Sequence, residues 1–369
     1  MCSLKVEETR RYWVALNLVL AENLRAAKKV LDRFSRIQDI FTAAKIDLVA
    51  LGLAEDDAGL LSSSSILDQA SAEIEQLEKR GYFVVTLEDE SYPSYLREIF
   101  YPPIVLYGVG QVEALKGPAV SIVGSRKPSA YGRNVAARLA EDLGSKGVVI
   151  VSGLARGIDS TAHQGALKKG RTVAVLGSGL DNIYPRENRA LFGKIIEQGA
   201  VVTEFPLGSK PLGHHFPIRN RIISGLSLAL IVVEATMRSG SLISARLALD
   251  QNRTVLSVPG NVTSELSQGT NWLIKSGAKP VARWEDVAEE LPSPLREELL
   301  SQEEGKGPPS LSSREKEVYD LLKPDSLVHI DEILDKSDYS VSEALSLLLN
   351  LELKGLIYQS PGKYYHRRW

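Results

Sequence analysis

Short apolar runs alternate with helical stretches through the middle of this 369-residue chain. The runs of strand length lie at 119–123, 148–152, 172–176, 200–204, 228–234 and 254–258. Apolar residues at helical spacing lie between them, near 132–146, 160–169, 187–198 and 240–251. Continuous β-branched runs such as 148–151 need cover on both faces, which is typical of parallel strands. The pattern predicts an α/β fold with an extended Rossmann-like, doubly wound sheet in residues 79–291.

The two ends of the chain follow a helical pattern instead. In residues 1–78, apolar positions recur at helical spacing from Tyr12 to Phe34, which predicts a small helical module. Residues 292–310 are rich in Pro, Ser and Glu and are predicted to form a polar linker. Residues 311–369 predict three helices and a short strand pair, the arrangement of a winged helix. Its third helix begins with serines and a glutamate, which favours protein contact over duplex recognition.

Small residues and arginine follow the predicted strands at the sheet edge where doubly wound folds bind ligands. Gly124-Ser125-Arg126 follows one strand, and Ser152-Gly153 with Arg156-Gly157 follows the next. Glycine lets the backbone approach a ligand, amides at a helix start face an anion, and arginine offers phosphate a bidentate fork. Ser239-Gly240 is a further helix-start candidate. These turns predict several anion sites along one edge.

The segment from His214 to Arg221 combines an aromatic residue with two arginines. Phe216 offers a flat face on which a base can stack, while Arg219, Asn220 and Arg221 can hold phosphates and base edges. This combination points to a nucleic-acid strand rather than to a single nucleotide.

A packing interpretation of the same segment stays open. It has Phe216 in the core, with Arg219 and Arg221 paired to Glu204 and Glu234. A catalytic pair of Asp159 and His163 has no nucleophile in evidence, so a structural histidine is expected there.

The adjacent histidines His214 and His215 raise the question of a zinc site. Adjacent side chains rarely point to one ion, and no cysteine or carboxylate cluster in the sequence completes the set. The sequence also lacks a G-x-G-x-x-G motif and a P-loop, which disfavours dinucleotide and magnesium–nucleotide binding. We therefore expect no metal and no cofactor.

Charge is distributed unevenly along the chain. The net charge is −2, but residues 119–283 hold 21 Lys and Arg against 10 Asp and Glu, a net of +11. Such a basic middle between acidic flanks favours a polyanion site confined to one domain. The single cysteine excludes a disulfide framework, and no signal peptide or membrane-length apolar run is present. We expect a cytoplasmic protein without membrane contact.

The chain resembles the DNA processing protein A family, DprA or Smf, across about 160 residues. The matching stretches, in order, are VGSRKPSAYG, SGLARGIDSTAHQGAL, AVLGSGLDNIYPREN, TEFPLG, HHFPIRNRIISGLS, EATMRSGSLISARLALDQNR, VPGN and GTNWLIKSGA. The flanks also look like the family's helical, SAM-like N-terminal module and its C-terminal winged helix.

The resemblance implies a non-enzymatic protein that binds single-stranded DNA in a basic groove and forms a homodimer. Such proteins protect incoming strands in natural transformation, help load the RecA recombinase and displace single-strand binding protein. The residues expected at the strand are Gly124, Ser125, Arg126, Ser152, Gly153, Arg156, Gly157, Phe216, Arg219, Asn220, Arg221, Ser239 and Gly240. Relatives often carry Lys or Arg before Phe-Pro, where this chain has Gly213-His214-His215, so binding there is expected to respond to pH.

Two other functions remain as alternatives. A phosphoribohydrolase-like enzyme shares the sheet and a helix-start phosphate site, but its family uses a Pro-Gly-Gly-x-Gly-Thr loop. Ser239-Gly240-Ser241 stands in that place here, without an arranged acid–base pair. A pure interaction scaffold would bind no oligonucleotide even at low salt.

Overall fold

A run of helices begins the chain. The computed structural model describes residues 2–301, 311–323 and 326–367. The first helices are α1 (Cys2–Leu20), α2 (Leu24–Arg33), α3 (Ile37–Ile40), α4 (Lys45–Ala50), α5 (Glu55–Leu61) and α6 (Ser64–Lys79). Asn23 caps α2 by accepting from the Ala26 N–H at 3.2 Å, and Ser63 caps α6 in the same way through Ser65. The predicted helical module is present.

A mixed sheet follows, and its central part is parallel. Its strands are β1 (Phe83–Thr86), β2 (Val105–Gly110), β3 (Ala119–Val123), β4 (Val149–Ser152), β5 (Thr172–Val175), β6 (Ala200–Thr203), β7 (Ala229–Val232), β8 (Thr254–Ser257) and β9 (Lys279–Pro280). The order across the sheet is β1-β2-β6-β5-β4-β3-β7-β8-β9. Neighbours from β6 to β9 pair in parallel, whereas β2 pairs antiparallel with β1 and β6.

Helices cover both faces of this sheet. They are α7 (Ser94–Arg97), α8 (Ala130–Ser145), α9 (Ile158–Ala166), α10 (Arg189–Gln198), α11 (His215–Gly225), α12 (Gly240–Asp250), α13 (Glu265–Lys275) and α14 (Trp284–Ala288). Val201 packs into one hydrophobic cluster, and its strand neighbours Ala200 and Val202 pack into another. Burial on both faces is what the unbroken apolar runs require, so the predicted doubly wound sheet is confirmed.

The N-terminal helices pack on one face of the sheet. Leu16 and Leu20 of α1 belong to the same buried cluster as Tyr107 of β2 and Val201 of β6. Asn17 of α1 donates to the Tyr107 hydroxyl at 3.2 Å and to the Glu204 carbonyl at 2.9 Å, both in the interior. The predicted domain limit at 78/79 therefore separates elements that share one hydrophobic core.

The chain divides into two compact units, Met1–Arg296 and Glu297–Trp369. The elements after α14 are α15 (Leu295–Ser301), α16 (Ser313–Leu321), β10 (Val328–His329), α17 (Ile330–Asp335), α18 (Val341–Leu353), β11 (Ile357–Ser360) and β12 (Tyr364–Arg367). Helices α16, α17 and α18 with the small sheet β10-β12-β11 form the predicted winged helix. Ser312 and Ser340 open α16 and α18 as capping boxes with Glu315 and Glu343.

The first half of the predicted linker 292–310 contains α15, because Leu295, Leu299 and Leu300 recur at helical spacing; residues 302–310 lie outside the described part. Within the described ranges, no helix has an apolar stretch long enough to cross a bilayer.

Candidate nucleic-acid interface

The loops after β3, β4 and β7 meet where the strand order reverses. Strand β3 lies between β4 and β7, so its carboxyl end faces the crevice at which doubly wound sheets hold ligands. The Ile158 N–H donates to the Ser125 carbonyl at 3.1 Å and joins the loops after β3 and β4. Gly157 has φ +77, and a Cβ there would lie 2.3 Å from the Ser125 carbonyl oxygen. Only glycine allows this contact, so Ser125 and Gly157 lie together at this edge of the sheet.

The start of α8 is already occupied by a carboxylate of the protein. Glu234, buried after β7, accepts from the Ser129 N–H at 2.8 Å and from its hydroxyl at 2.5 Å. Gly132 is required beside it, since a Cβ there would lie 2.4 Å from the Glu234 Oε2. The helix-start anion site expected after Gly124-Ser125-Arg126 is therefore filled internally, and a phosphate there would face a negative charge.

A partly open aromatic surface lies beside these loops, and we call it the Phe216 surface: Arg126, Tyr184 and Phe216. The ring of Phe216 is half-buried, with the exposed Arg126 guanidinium 5.8 Å from its centroid. Tyr184 is 46% exposed, and its ring centroid is 5.7 Å from that of Phe216. Gly177 lets the Phe216 ring approach, because a Cβ would lie 3.0 Å from it. Two aromatic rings and an exposed guanidinium thus share one patch.

Tyr184 is not among the site residues predicted from the sequence. The signal was the order Tyr184-Pro185-Arg186 after the Gly177-Ser178-Gly179 turn, an aromatic beside an arginine at the same sheet edge. Its distance to Phe216 depends on how the turn after β5 meets α11, which the sequence does not show.

Arg219 is buried rather than open to a ligand. It is 4% exposed and donates to the carbonyls of Gly153, at 2.7 Å, and Val175. A Cβ at Gly153 would lie 2.6 Å from the Arg219 Nη1, so this glycine makes room for the guanidinium. Burial lowers the pKa of Arg219 to about 10, with Asp159 opposing, and the side chain stays charged at neutral pH. Arg219 therefore fixes α11, and hence Phe216, to the ends of β4 and β5.

Asp159 and His163 do not form a catalytic pair. The Asp159 carboxylate accepts from the Gly153 N–H at 3.1 Å and the Ala155 N–H at 3.4 Å, so it shapes the loop after β4. Burial raises the pKa of Asp159, with Arg219 opposing. His163 Nδ1 lies 2.6 Å from the Thr172 hydroxyl, and burial lowers the pKa of the imidazole to about 3. His163 is a neutral structural residue, as expected.

Arg221 pairs with Glu204 in the interior, as the packing interpretation predicts. Its guanidinium donates to both carboxylate oxygens of Glu204, at 2.7 and 2.5 Å, and both side chains are buried. The prediction that Arg221 contacts a DNA strand is therefore wrong, because its N–H donors face the protein interior. The same interpretation is wrong for Glu234, which accepts from the N–H and hydroxyl of Ser129, the N-cap of α8, instead of pairing with an arginine.

The remaining predicted residues have mixed environments. Ser152 is buried and donates to the Ile122 carbonyl at 2.6 Å, so its side chain is not available to a ligand. Arg156 is exposed and pairs with Glu187 through Nη2 and Oε2 at 2.9 Å. Asn220 is half-buried and accepts from the Arg219 Nε at 3.3 Å. Ser239 caps α12 through the Ser241 N–H, and Gly240 beside it is exposed.

Fold and site together define a class: a Rossmann-like domain with an arginine and aromatic patch at its strand ends, followed by a winged helix. The family model described as DNA recombination-mediator protein A matches residues 83–292, and that of the DprA winged helix domain matches residues 302–363. The chain belongs to this DprA/Smf family of DNA processing proteins.

Relatives and solved structures agree with this assignment. Protein Smf of Escherichia coli is 40% identical over 296 residues, 79% of each chain. DNA processing protein DprA of Bacillus subtilis is 44% identical over 216 residues, 58% of this chain and 73% of that one. The X-ray structure of DprA from Streptococcus pneumoniae has a TM-score of 0.62 at 34% identity and covers 76% of this chain and 98% of its own. A Helicobacter pylori DprA structure, described for its single-stranded DNA binding mode, has a TM-score of 0.51 at 30% identity and covers 61% and 97%.

Proposed function

We propose that this chain binds single-stranded DNA at the Phe216 surface. The observation that carries the proposal is the proximity of two partly exposed aromatic rings to the exposed Arg126 guanidinium, at the strand ends of a segment with net charge +11. Aromatic faces stack bases of any sequence, and a guanidinium neutralises phosphate. The Helicobacter pylori relative, described as binding single-stranded DNA, supports the same ligand.

The predicted residues take different roles in this proposal. Arg126 contacts phosphate, and Phe216 and Tyr184 stack bases, while the backbone at Gly124, Ser125 and Gly157 lines the approach. Gly153 is buried, and its N–H and carbonyl bond to Asp159 and Arg219, so it acts from the interior. Arg156 and Asn220 flank the patch, and Ser239 with Gly240 lies after β7 at the same sheet edge. Arg219, Arg221 and Ser152 act from the interior by holding α11 and β4 in position.

Family membership supports a wider role, which we propose with it. The chain acts in the cytoplasm as a homodimer that protects incoming strands in natural transformation. It assists RecA loading in exchange for single-strand binding protein. We assign it no enzymatic activity: Glu204 is committed to Arg221 and Glu234 to the start of α8, so neither carboxylate is free for the phosphoribohydrolase chemistry.

The test is fluorescence anisotropy with labelled single-stranded and double-stranded oligonucleotides across a salt series. Phe216→Ala should weaken single-strand binding by about 1–3 kcal/mol, the value of one stacked base. Phe216→Leu keeps apolar volume without a flat face and should lose a similar amount. Arg126→Ala should weaken binding and reduce the slope of log affinity against log salt by about 0.7.

Arg171→Ala is the matched control for the arginine. Arg171 is exposed and immediately precedes β5, at the opposite edge of the sheet, so its loss should leave affinity unchanged. Unchanged affinity in both Arg126→Ala and Phe216→Ala would remove the Phe216 surface as the binding site.

A further inference from the structure

A second cluster of polar side chains lies where α1 ends and α11 begins. Glu22 is in the turn between α1 and α2, and its two oxygens each lie 2.9 Å from an imidazole nitrogen, the Nε2 of His214 and the Nε2 of His215. The donor atoms of the three residues all lie within 4.8 Å of one another. No carboxylate cluster accompanies these histidines in the sequence, but the fold brings Glu22 to them from 192 positions away.

The adjacent histidines converge because the backbone is helical there. His214 is the N-cap of α11, with φ −76 and ψ −17, and His215 is its first residue. Successive side chains diverge by about 100° on a helix but point to opposite faces in an extended segment. The two rings meet nearly at right angles, with centroids 4.6 Å apart. Both Nε2 atoms can therefore reach one point beside Glu22.

One ligand is rigid and two can adjust. His215 is 2% exposed and stacks on Phe205, with ring centroids 4.0 Å apart and 19° between the planes. Glu22 and His214 are each more than half exposed, which leaves a position open to water.

We propose that Glu22, His214 and His215 form a binding site for a divalent transition-metal ion, with zinc as the best match. Two imidazole nitrogens and one carboxylate oxygen are a donor set that zinc accepts, with water as the fourth ligand. Ligands at zinc distances of about 2.0–2.2 Å are about 3.3 Å apart in a tetrahedron, so the 2.9 Å contacts need to open only slightly. The ion would join the α1–α2 turn to the helix that carries Phe216.

The surroundings of His215 set the expected strength of the site. Zinc on Nε2 requires the proton on Nδ1, and the buried Nδ1 of His215 has no hydrogen-bond partner among the residues that the structure describes. A hydrogen-bond acceptor for the second nitrogen of a metal-bound histidine typically raises metal affinity by about tenfold to 100-fold. We therefore expect weaker binding than at structural zinc sites whose histidines are supported.

The experiment titrates zinc into metal-stripped full-length protein in competition with a chromophoric chelator of micromolar affinity, without DNA. All proteins carry Cys2→Ser, which removes the one cysteine of the chain. Glu22→Gln and His214→Gln should each weaken zinc binding by at least about tenfold. Both positions are exposed, so circular dichroism should show an unchanged fold.

His329→Gln is the matched control, because His329 Nδ1 lies 3.1 Å from the Asp331 carboxylate, and the described part of the chain places no third donor with them. It should bind zinc as the parent does. Cobalt absorption typical of a tetrahedral site, lost in Glu22→Gln and His214→Gln, would support the proposal. It is overturned if the parent does not compete with the chelator, or if Glu22→Gln and His214→Gln bind zinc as tightly as the parent.

Discussion

At the scale of single residues, the arginines near the strand ends have different environments that the sequence does not distinguish. Arg126 is exposed beside an aromatic ring, Arg219 is buried against carbonyls, and Arg221 is buried against Glu204. All three lie in segments predicted at the same sheet edge, so residue type alone predicts the same role for all. Their partners lie 17 to 90 positions away, and only the packing of α11 selects them.

Arg221→Met should destabilise the protein strongly. Removing one partner of a buried ion pair leaves Glu204 uncompensated, which typically costs about 3–5 kcal/mol. Burial raises the pKa of Glu204 and Arg221 opposes this, so without Arg221 the carboxyl takes up a proton more readily. Urea unfolding should therefore show a smaller deficit at pH 5 than at pH 8.

Two variants control this measurement. Adding Glu204→Gln to Arg221→Met should recover part of the lost stability, because no buried charge remains. Arg156→Met removes the exposed partner of Glu187 and should leave the unfolding midpoint unchanged. A deficit in Arg221→Met no larger than that in Arg156→Met would contradict the structural role of the buried pair.

His163 should make stability depend on pH. Burial lowers the pKa of His163 from 6.5 to about 3 in the folded protein, so below pH 6.5 the unfolded chain binds one more proton. The contribution of neutral His163 to the free energy of unfolding is complete above pH 6.5 and is lost as the pH falls toward 3. From pH 7 to pH 5 the loss is about 2 kcal/mol.

His163→Gln keeps a hydrogen-bonding side chain that does not titrate. The difference in unfolding free energy between pH 7 and pH 5 should shrink by that amount in this variant, whatever its absolute stability. An equal difference in parent and variant would show that another group accounts for the acid sensitivity.

At the scale of elements, the strands were predictable and α11 was not. The predicted strands match β3 to β8 within two residues, because strands buried on both faces have unbroken apolar sequences. The segment from His214 to Arg221 gives no helical signal, since it is short, polar and contains Pro217. Pro217 is the third residue of α11, where the N–H has no intrahelical partner to lose. Missing this helix is why Arg219 and Arg221 could not be placed.

Gly157→Ala should disturb the joined loops after β3 and β4. The residue would carry a positive φ of +77 and a Cβ 2.3 Å from the Ser125 carbonyl oxygen. Strain and overpacking together should cost about 3 kcal/mol or more. The shifted loops should also weaken single-strand binding in the anisotropy assay.

Gly147→Ala separates the effect of backbone strain from that of the steric clash. Gly147 has φ +83 but nothing within 4 Å of an added Cβ, and it lies before β4 at the opposite sheet edge. Backbone strain alone should lower the free energy of unfolding in urea by about 1–2 kcal/mol, and DNA binding should be unchanged. Equal effects of the two variants on binding would contradict the contribution of the joined loops to the site.

At the scale of the whole molecule, charge and packing divide the chain in different ways. The basic segment 119–283 has a net charge of +11, whereas residues 308–369 have 8 basic and 10 acidic residues. Packing instead joins the N-terminal helices to the sheet, through Leu16, Leu20 and Tyr107. Binding should therefore depend on the basic segment, and folding on everything up to residue 296.

Residues 1–296 should fold and bind single-stranded DNA without the winged helix. The salt slope depends on the number of phosphates neutralised, about 0.7 for each on a single strand. Removing residues 297–369, which have 9 basic and 14 acidic residues and a net charge of −5, should therefore leave the slope unchanged. A slope that falls by 0.7 or more would mean that the winged helix contacts phosphate.

A fragment of residues 79–296 should behave differently, although it contains the whole basic segment. Without α1, Tyr107 and Val201 lose their cover, and the Tyr107 hydroxyl and Glu204 carbonyl lose Asn17. Exposed apolar surface of this kind favours aggregation. Thermal melts should show a lower midpoint or no cooperative transition, whereas residues 1–296 melt cooperatively. If both fragments melt alike, the shared core does not contribute to stability, and the limit at 78/79 marks an independent domain.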